Sequence, residues 1–98
     1  MNDKKKYCYS KKISWQKIPG EESAFAYNIS THKYYEFNET EYYIWMYFAS
    51  GPKSIKDITE YISNIFSISI GMIEGDIEIF INDLTDIGLI EEYERVRY

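Results

Sequence analysis

Ninety-eight residues are enough for one modest core and too few for two. A formal net charge of −5, from 16 acids against 11 Lys and Arg, argues against a nucleic-acid binder. The single cysteine excludes an internal disulfide and any metal site built on paired cysteines. With no apolar run of about eighteen residues and no apolar signal-peptide core at its start, the chain is expected to be soluble and cytoplasmic, away from any membrane.

Charge is unevenly spread along the chain. Up to Lys17 there are six Lys and one acid, Asp3, so about −10 falls on the remainder. Residues 1–12 read as a flexible basic arm, and the domain proper is expected over 13–93 with a short tail at 94–98. Ile13 to Ile18 alternates apolar and polar residues and predicts a short strand, ended by Pro19-Gly20. Ser23 to Ile29 alternates again, with Phe25, Tyr27 and Ile29 on one face and Ala24 and Ala26 on the other. After the polar turn Ser30-Thr31-His32 comes a third strand, Lys33 to Phe37, rich in aromatics. Connections this short predict an antiparallel meander.

Asn38 is the expected cap of a first helix, with Glu41 reaching back to close a capping box. Ile44, Trp45 and Phe48 share one face and are candidate core. Tyr42, Tyr43, Met46 and Tyr47 cover much of the rest and suggest a second, partner-facing surface. Ser50-Gly51-Pro52 ends this helix. Ser54, with Asp57 at the third helical position, opens a second helix over about Ile55–Phe66. Ser69 is the candidate cap of a third, which runs to about Ile87 before Gly88. The inward stripe of the third helix is Ile73, Ile77, Phe80, Ile81, Leu84 and Ile87. The expected fold class is α+β, a three-stranded antiparallel sheet followed by three helices.

The string Tyr34-Tyr35-Glu36-Phe37-Asn38-Glu39-Thr40, followed by Ile44-Trp45, resembles the "LNxT…IW" hallmark of PqqD-like proteins. Gly51, the Ser54…Ile58 helix start, Asp76 with Phe80, and Leu84…Gly88-Leu89-Ile90 continue the likeness over about residues 13–91. Phe37 departs from it, standing where the family usually has Leu. The resemblance implies a winged-helix-like RiPP recognition element. Such a domain binds the leader of a ribosomally made precursor peptide and presents it to a modifying enzyme, here a radical SAM enzyme or a leader peptidase such as that of a lasso-peptide pathway.

An edge strand offers unpaired N–H and C=O groups to a guest strand. If the third strand is that edge, the leader adds along Lys33, Tyr34, Tyr35, Glu36 and Phe37. On the third helix Met72, Asp76, Ile79 and Asp83 recur at helical spacing beside the core stripe and are the candidate opposite wall. The acids there, with Glu36, favour a guest carrying Lys or Arg.

Other chemistries find little footing. His32 is the only histidine and has no partner ligand for a metal. Cys8 lies among lysines on the expected arm. The third-helix acids lack a nucleophilic or basic partner, and no P-loop, GxGxxG or Ser–His–Asp set is present, so no enzyme and no cofactor are expected. The alternatives are a homodimerising interaction domain using the Tyr42–Tyr47 surface and, further off, a winged-helix DNA-binding regulator. The second would need basic or amide side chains on its third helix, which carries acids instead.

Overall fold

The computed structural model describes residues 5–94. In chain order its elements are β1 (Lys6–Tyr9), β2 (Ile13–Lys17), β3 (Ser23–Asn28), β4 (Tyr34–Asn38), α1 (Thr40–Tyr47) with a 3-10 turn at Phe48–Ser50, β5 (Lys53–Ser54), α2 (Ile55–Phe66), α3 (Ile70–Asp86) and β6 (Ile90–Glu92). The meander is present as β2-β3-β4, so the strand expected third is β4. Trp15 pairs with Ala26, Ala26 with Tyr35, and Ala24 with Phe37.

The alanines, not the large residues of β3, face inward. Ala24 and Ala26 are fully buried, while Phe25 and Ile29 lie on the outer face of the sheet. Two rings explain this choice. Phe37 and Trp45, both wholly buried, stack at 4.5 Å with a 12° tilt between β4 and α1. Only small side chains on the neighbouring strand leave room for them. Burying each ring is worth about 2–3 kcal/mol by removal from water alone.

A second sheet, β5-β1-β6, was not foreseen. Lys6 pairs with Ser54, Tyr7 with Glu92 and Tyr9 with Ile90. The basic arm expected over 1–12 is therefore a central strand over 6–9. Its residues 1–4 lie outside the described residues, as do 95–98 of the expected tail. What holds β1 is its two tyrosines. Tyr7 is buried, and Tyr9 packs 4.6 Å from Trp45 and 5.3 Å from Trp15, its hydroxyl donating to the Trp45 carbonyl at 2.5 Å. Burial without a cation to offset it pushes the Tyr9 hydroxyl well above its usual pKa.

Caps decide where the helices begin and end. β4 runs one residue beyond expectation, so Asn38 pairs with Ser23 and does not cap α1. Glu39 takes the cap position at φ 55° with no side-chain cap bond. Glu41 accepts hydrogen bonds from the Tyr35 hydroxyl at 2.9 and 3.1 Å instead of reaching back. At α2 the expected reciprocal box forms, Asp57 N–H to Ser54 Oγ and Ser54 N–H to Asp57 Oδ2, both 3.0 Å. That backbone donor, foremost, lowers the Asp57 pKa. Ser69 occupies the cap of α3 without a side-chain bond.

Past the end of α3, Leu89 N–H donates to the Leu84 carbonyl and Gly88 N–H to the Thr85 carbonyl, a Schellman arrangement. Gly88 sits at φ 80°, and a Cβ there would lie 2.7 Å from Asn28 Nδ2. That amide donates to the Gly88 carbonyl at 2.7 Å, while Asn28 Oδ1 accepts from Ser30 and Thr31 N–H. One buried side chain thus ties the β3–β4 turn to the far end of α3. No helix of the described residues is long and apolar enough to cross a membrane.

Candidate functional site

The site begins with hydrogen-bond alternation. Asn28 N–H donates to the Lys33 carbonyl at 2.8 Å, in register with the β3–β4 ladder. Alternation then turns the backbone groups of Tyr35 and Phe37 toward β3 and those of Tyr34, Glu36 and Asn38 away from it. β4 is an outer strand of its sheet, so these groups form an open edge. Among the described residues no strand pairs with it on that side, and β1 and β6 pair with each other.

α3 lies across from that edge. Phe80 reaches under it, 6.0 Å from the Tyr35 ring and 6.2 Å from Phe37, both edge-on. Beside Phe80 a cavity of about 290 Å³ opens between α1, α2 and α3, with Ile62 and Ile73 on its floor and Thr40, Glu41 and Asp76 around it. Tyr35 is joined to this cavity through Glu41, which accepts from its hydroxyl, and through the Phe80 ring. Its pKa is pushed up to about 12, first by burial, then by the hydrogen bond to Glu41 and the charges of Glu41 and Asp83. The ion pair among the described residues is Lys5–Glu92, so none of the cleft acids is neutralised by a salt bridge there.

The residues singled out from sequence fall into three groups. Tyr35 is bonded to Glu41 and lies under the charge of Asp83, while Asp76 lines the cavity with Glu41 and Phe80. Met72 and Ile79, 74% and 61% exposed, sit on the outer rim of α3. Tyr34 and Glu36 lend backbone to the edge, but their side chains lie on the outer face, where the Tyr34 ring is 5.5 Å from Phe25. Lys33 belongs to the turn, its carbonyl already bonded to Asn28. Phe37 offers no free surface at all. It is wholly buried against Trp45, so it supports the floor and does not line the cleft.

Sequence reasoning missed Glu41 and the cleft-facing side of Phe80. The sequence pattern alone makes Glu41 a capping acid and Phe80 a core residue. The available signal was spacing: Asp76 and Phe80 are one helical turn apart, so a residue half in the core also faces the acid. Among the described residues no group of three His, Cys, Asp or Glu is placed to hold a metal.

An antiparallel meander leading into three helices, with its last strand open beside the final helix, is the architecture expected of PqqD-like domains. The model for coenzyme PQQ synthesis protein D (PqqD) matches residues 24–90, and the chain belongs to that family. The fold is also similar to a solved structure described as TbiB1 in complex with the TbiA(beta) leader peptide. The TM-score is 0.77 at 20% identity, covering 90% of this chain and 99% of that one. No curated protein matches the sequence.

Proposed function

We propose that this chain binds the leader segment of a ribosomally made precursor peptide as an added strand along β4, and presents it to a RiPP-modifying enzyme. The observation that carries the reading is the unpaired edge of β4, whose Tyr35 is bonded to Glu41, lies under the charge of Asp83 and packs edge-on against Phe80 of α3. Family membership supports it, as does the likeness to a fold solved with a leader peptide. Backbone bonds to Tyr34, Glu36 and Asn38 supply affinity tolerant of sequence, each worth about 0.5–1.5 kcal/mol net. Selectivity comes from a guest side chain entering the cavity over Phe80, and from a Lys or Arg near Glu41, Asp76 and Asp83. The enzyme served is a radical SAM enzyme or a leader peptidase.

The test is a titration of isotope-labelled protein with the leader of the precursor encoded beside its gene. Amide shifts should appear together at Tyr34, Glu36, Asp76, Ile79 and Asp83. Shifts confined to the α1 face around Tyr43 and Tyr47 would overturn the reading in favour of an interaction domain. That alternative has lost part of its motive. The Tyr47 ring stacks on Tyr61 at 3.9 Å with Lys53 over it, and Tyr43 packs edge-on against Phe66, so these α1 tyrosines are engaged by α2 of the same chain. A DNA-binding role fares worse: α3 carries Glu74, Asp76, Glu78, Asp83 and Asp86 and no Lys or Arg.

A further inference from the structure

The meander has two outer strands, and their solvent faces differ. On β2 that face carries Ser14 and Gln16, both polar and exposed. On β4 it carries Tyr34, 65% exposed, and Glu36. The Tyr34 ring packs 5.5 Å from Phe25 of the adjoining strand, itself 39% exposed. An aromatic strip thus crosses the outer face and stops at the open edge. Tyr27, directly opposite Tyr34, is already engaged, its hydroxyl hydrogen-bonded to His32 Nδ1 at 2.6 Å. Glu36 stands opposite Phe25 and makes no salt bridge among the described residues.

A guest strand would continue this pattern. Neighbouring strands share their pleat, so whichever way the guest runs, its residues beside Tyr34 and Glu36 point outward with them. The residue between those two points inward, toward the side occupied by Tyr35 and Phe80. Adjacent side chains on one face of a sheet touch, and aromatic or opposite-charge neighbours attract. Edge strands that must stay single are guarded by charge or proline. At Tyr34 the outward position is instead a bare ring.

We propose that the outer face of β4 reads the guest as the cleft does. An aromatic side chain lies beside Tyr34 and extends the strip, and a Lys or Arg two residues along lies beside Glu36. This rests on the strand-addition reading and adds what that reading lacks, a guest recognised on both faces of its strand. The acids are then divided: Glu41, Asp76 and Asp83 act on the cleft side, and Glu36 acts on an outward side chain.

The probe is the leader of the precursor encoded beside the gene. With labelled protein, isotope-filtered NOEs should connect a leader ring to the Phe25 and Tyr34 side chains. Tyr34→Thr keeps a good strand former at an exposed position, so the fold should stand while leader affinity falls about three- to fivefold. Glu36→Lys should weaken binding about fivefold. A leader with Glu in place of its basic residue should recover that loss, a rescue that a purely structural role for Glu36 would not give. Gln16→Lys, on the same face at the far edge, should change affinity by under about twofold. If the leader shifts the Tyr34 and Glu36 amides but binds both variants as it binds the parent, the outer-face inference falls and strand addition stands. Without shifts at those amides, strand addition falls and takes the outer-face inference with it.

Discussion

The two sheets of this domain have equal strand number and opposite construction. β2-β3-β4 joins neighbours in the chain through short turns. β5-β1-β6 joins three short strands drawn from the start, middle and end of the described chain. The second sheet holds β1 and β6 together, and among the described residues no strand pairs with the outer side of β4. An edge that would invite aggregation if left by accident is here kept open beside a shaped cleft. The difference teaches that the non-local sheet closes the fold so that the local one can stay unfinished.

The largest effect should follow from damage at the joint between the sheets and α1. Phe37→Ala removes a fully buried ring stacked on Trp45, with small Ala24 and Ala26 unable to fill the void. A loss of about 3–5 kcal/mol is expected in urea unfolding. A loss under about 1 kcal/mol would mean the ring pair is not the centre of the core. Next comes Tyr7→Ala, which should cost about 2–3 kcal/mol by the same cavity argument. Hydrogen exchange should then accelerate first at Lys53–Ser54 and Ile90–Glu92, with the meander amides still protected. Equal acceleration in both sheets would erase the distinction drawn between them.

The same contrast governs what the sequence could disclose. Alternation over Ser23–Ile29 and the turn residues around it announced the meander, because strand partners lay within a few residues. The Ser54–Asp57 box and Gly88 were equally legible, being local hydrogen-bond geometry. β1 was hidden. Its inward residues are only Tyr7 and Tyr9, set among lysines, and its partners lie far along the chain. Charge composition pointed to a tail, and packing on Trp45 overrode it. The cleft was half visible: helical spacing placed Asp76 and Asp83 on one stripe, but Glu41 emerges only once Asn38 is known to stay in the strand.

The open edge itself can be tested with one residue. In Glu36→Pro the lost N–H is one that alternation turns away from β3, so the ladder keeps its bonds. Stability should change by under about 1 kcal/mol, since no sheet bond is removed. Leader affinity should fall about tenfold, the equivalent of one backbone bond and some misfit. Unchanged affinity in a folded variant would place the leader somewhere other than β4.

The smallest effect concerns the Tyr35 hydroxyl, where the cleft acids can be read through pH. In the unfolded chain a tyrosine ionises near pH 10, whereas in the fold burial and the bond to Glu41 push Tyr35 up to about 12. The folded state therefore holds a proton that the unfolded state releases. The stabilisation is fully present below pH 10, fades as pH rises, and is gone above about 12. Tyr35→Phe should flatten the decline of stability between those limits relative to the parent chain. Tyr9 and Tyr47, also raised, remain in both proteins, so the difference between the two curves isolates Tyr35. Superimposable curves would mean that Tyr35 is open to water and that the strand–helix cleft is wider and wetter than the Glu41 contact implies.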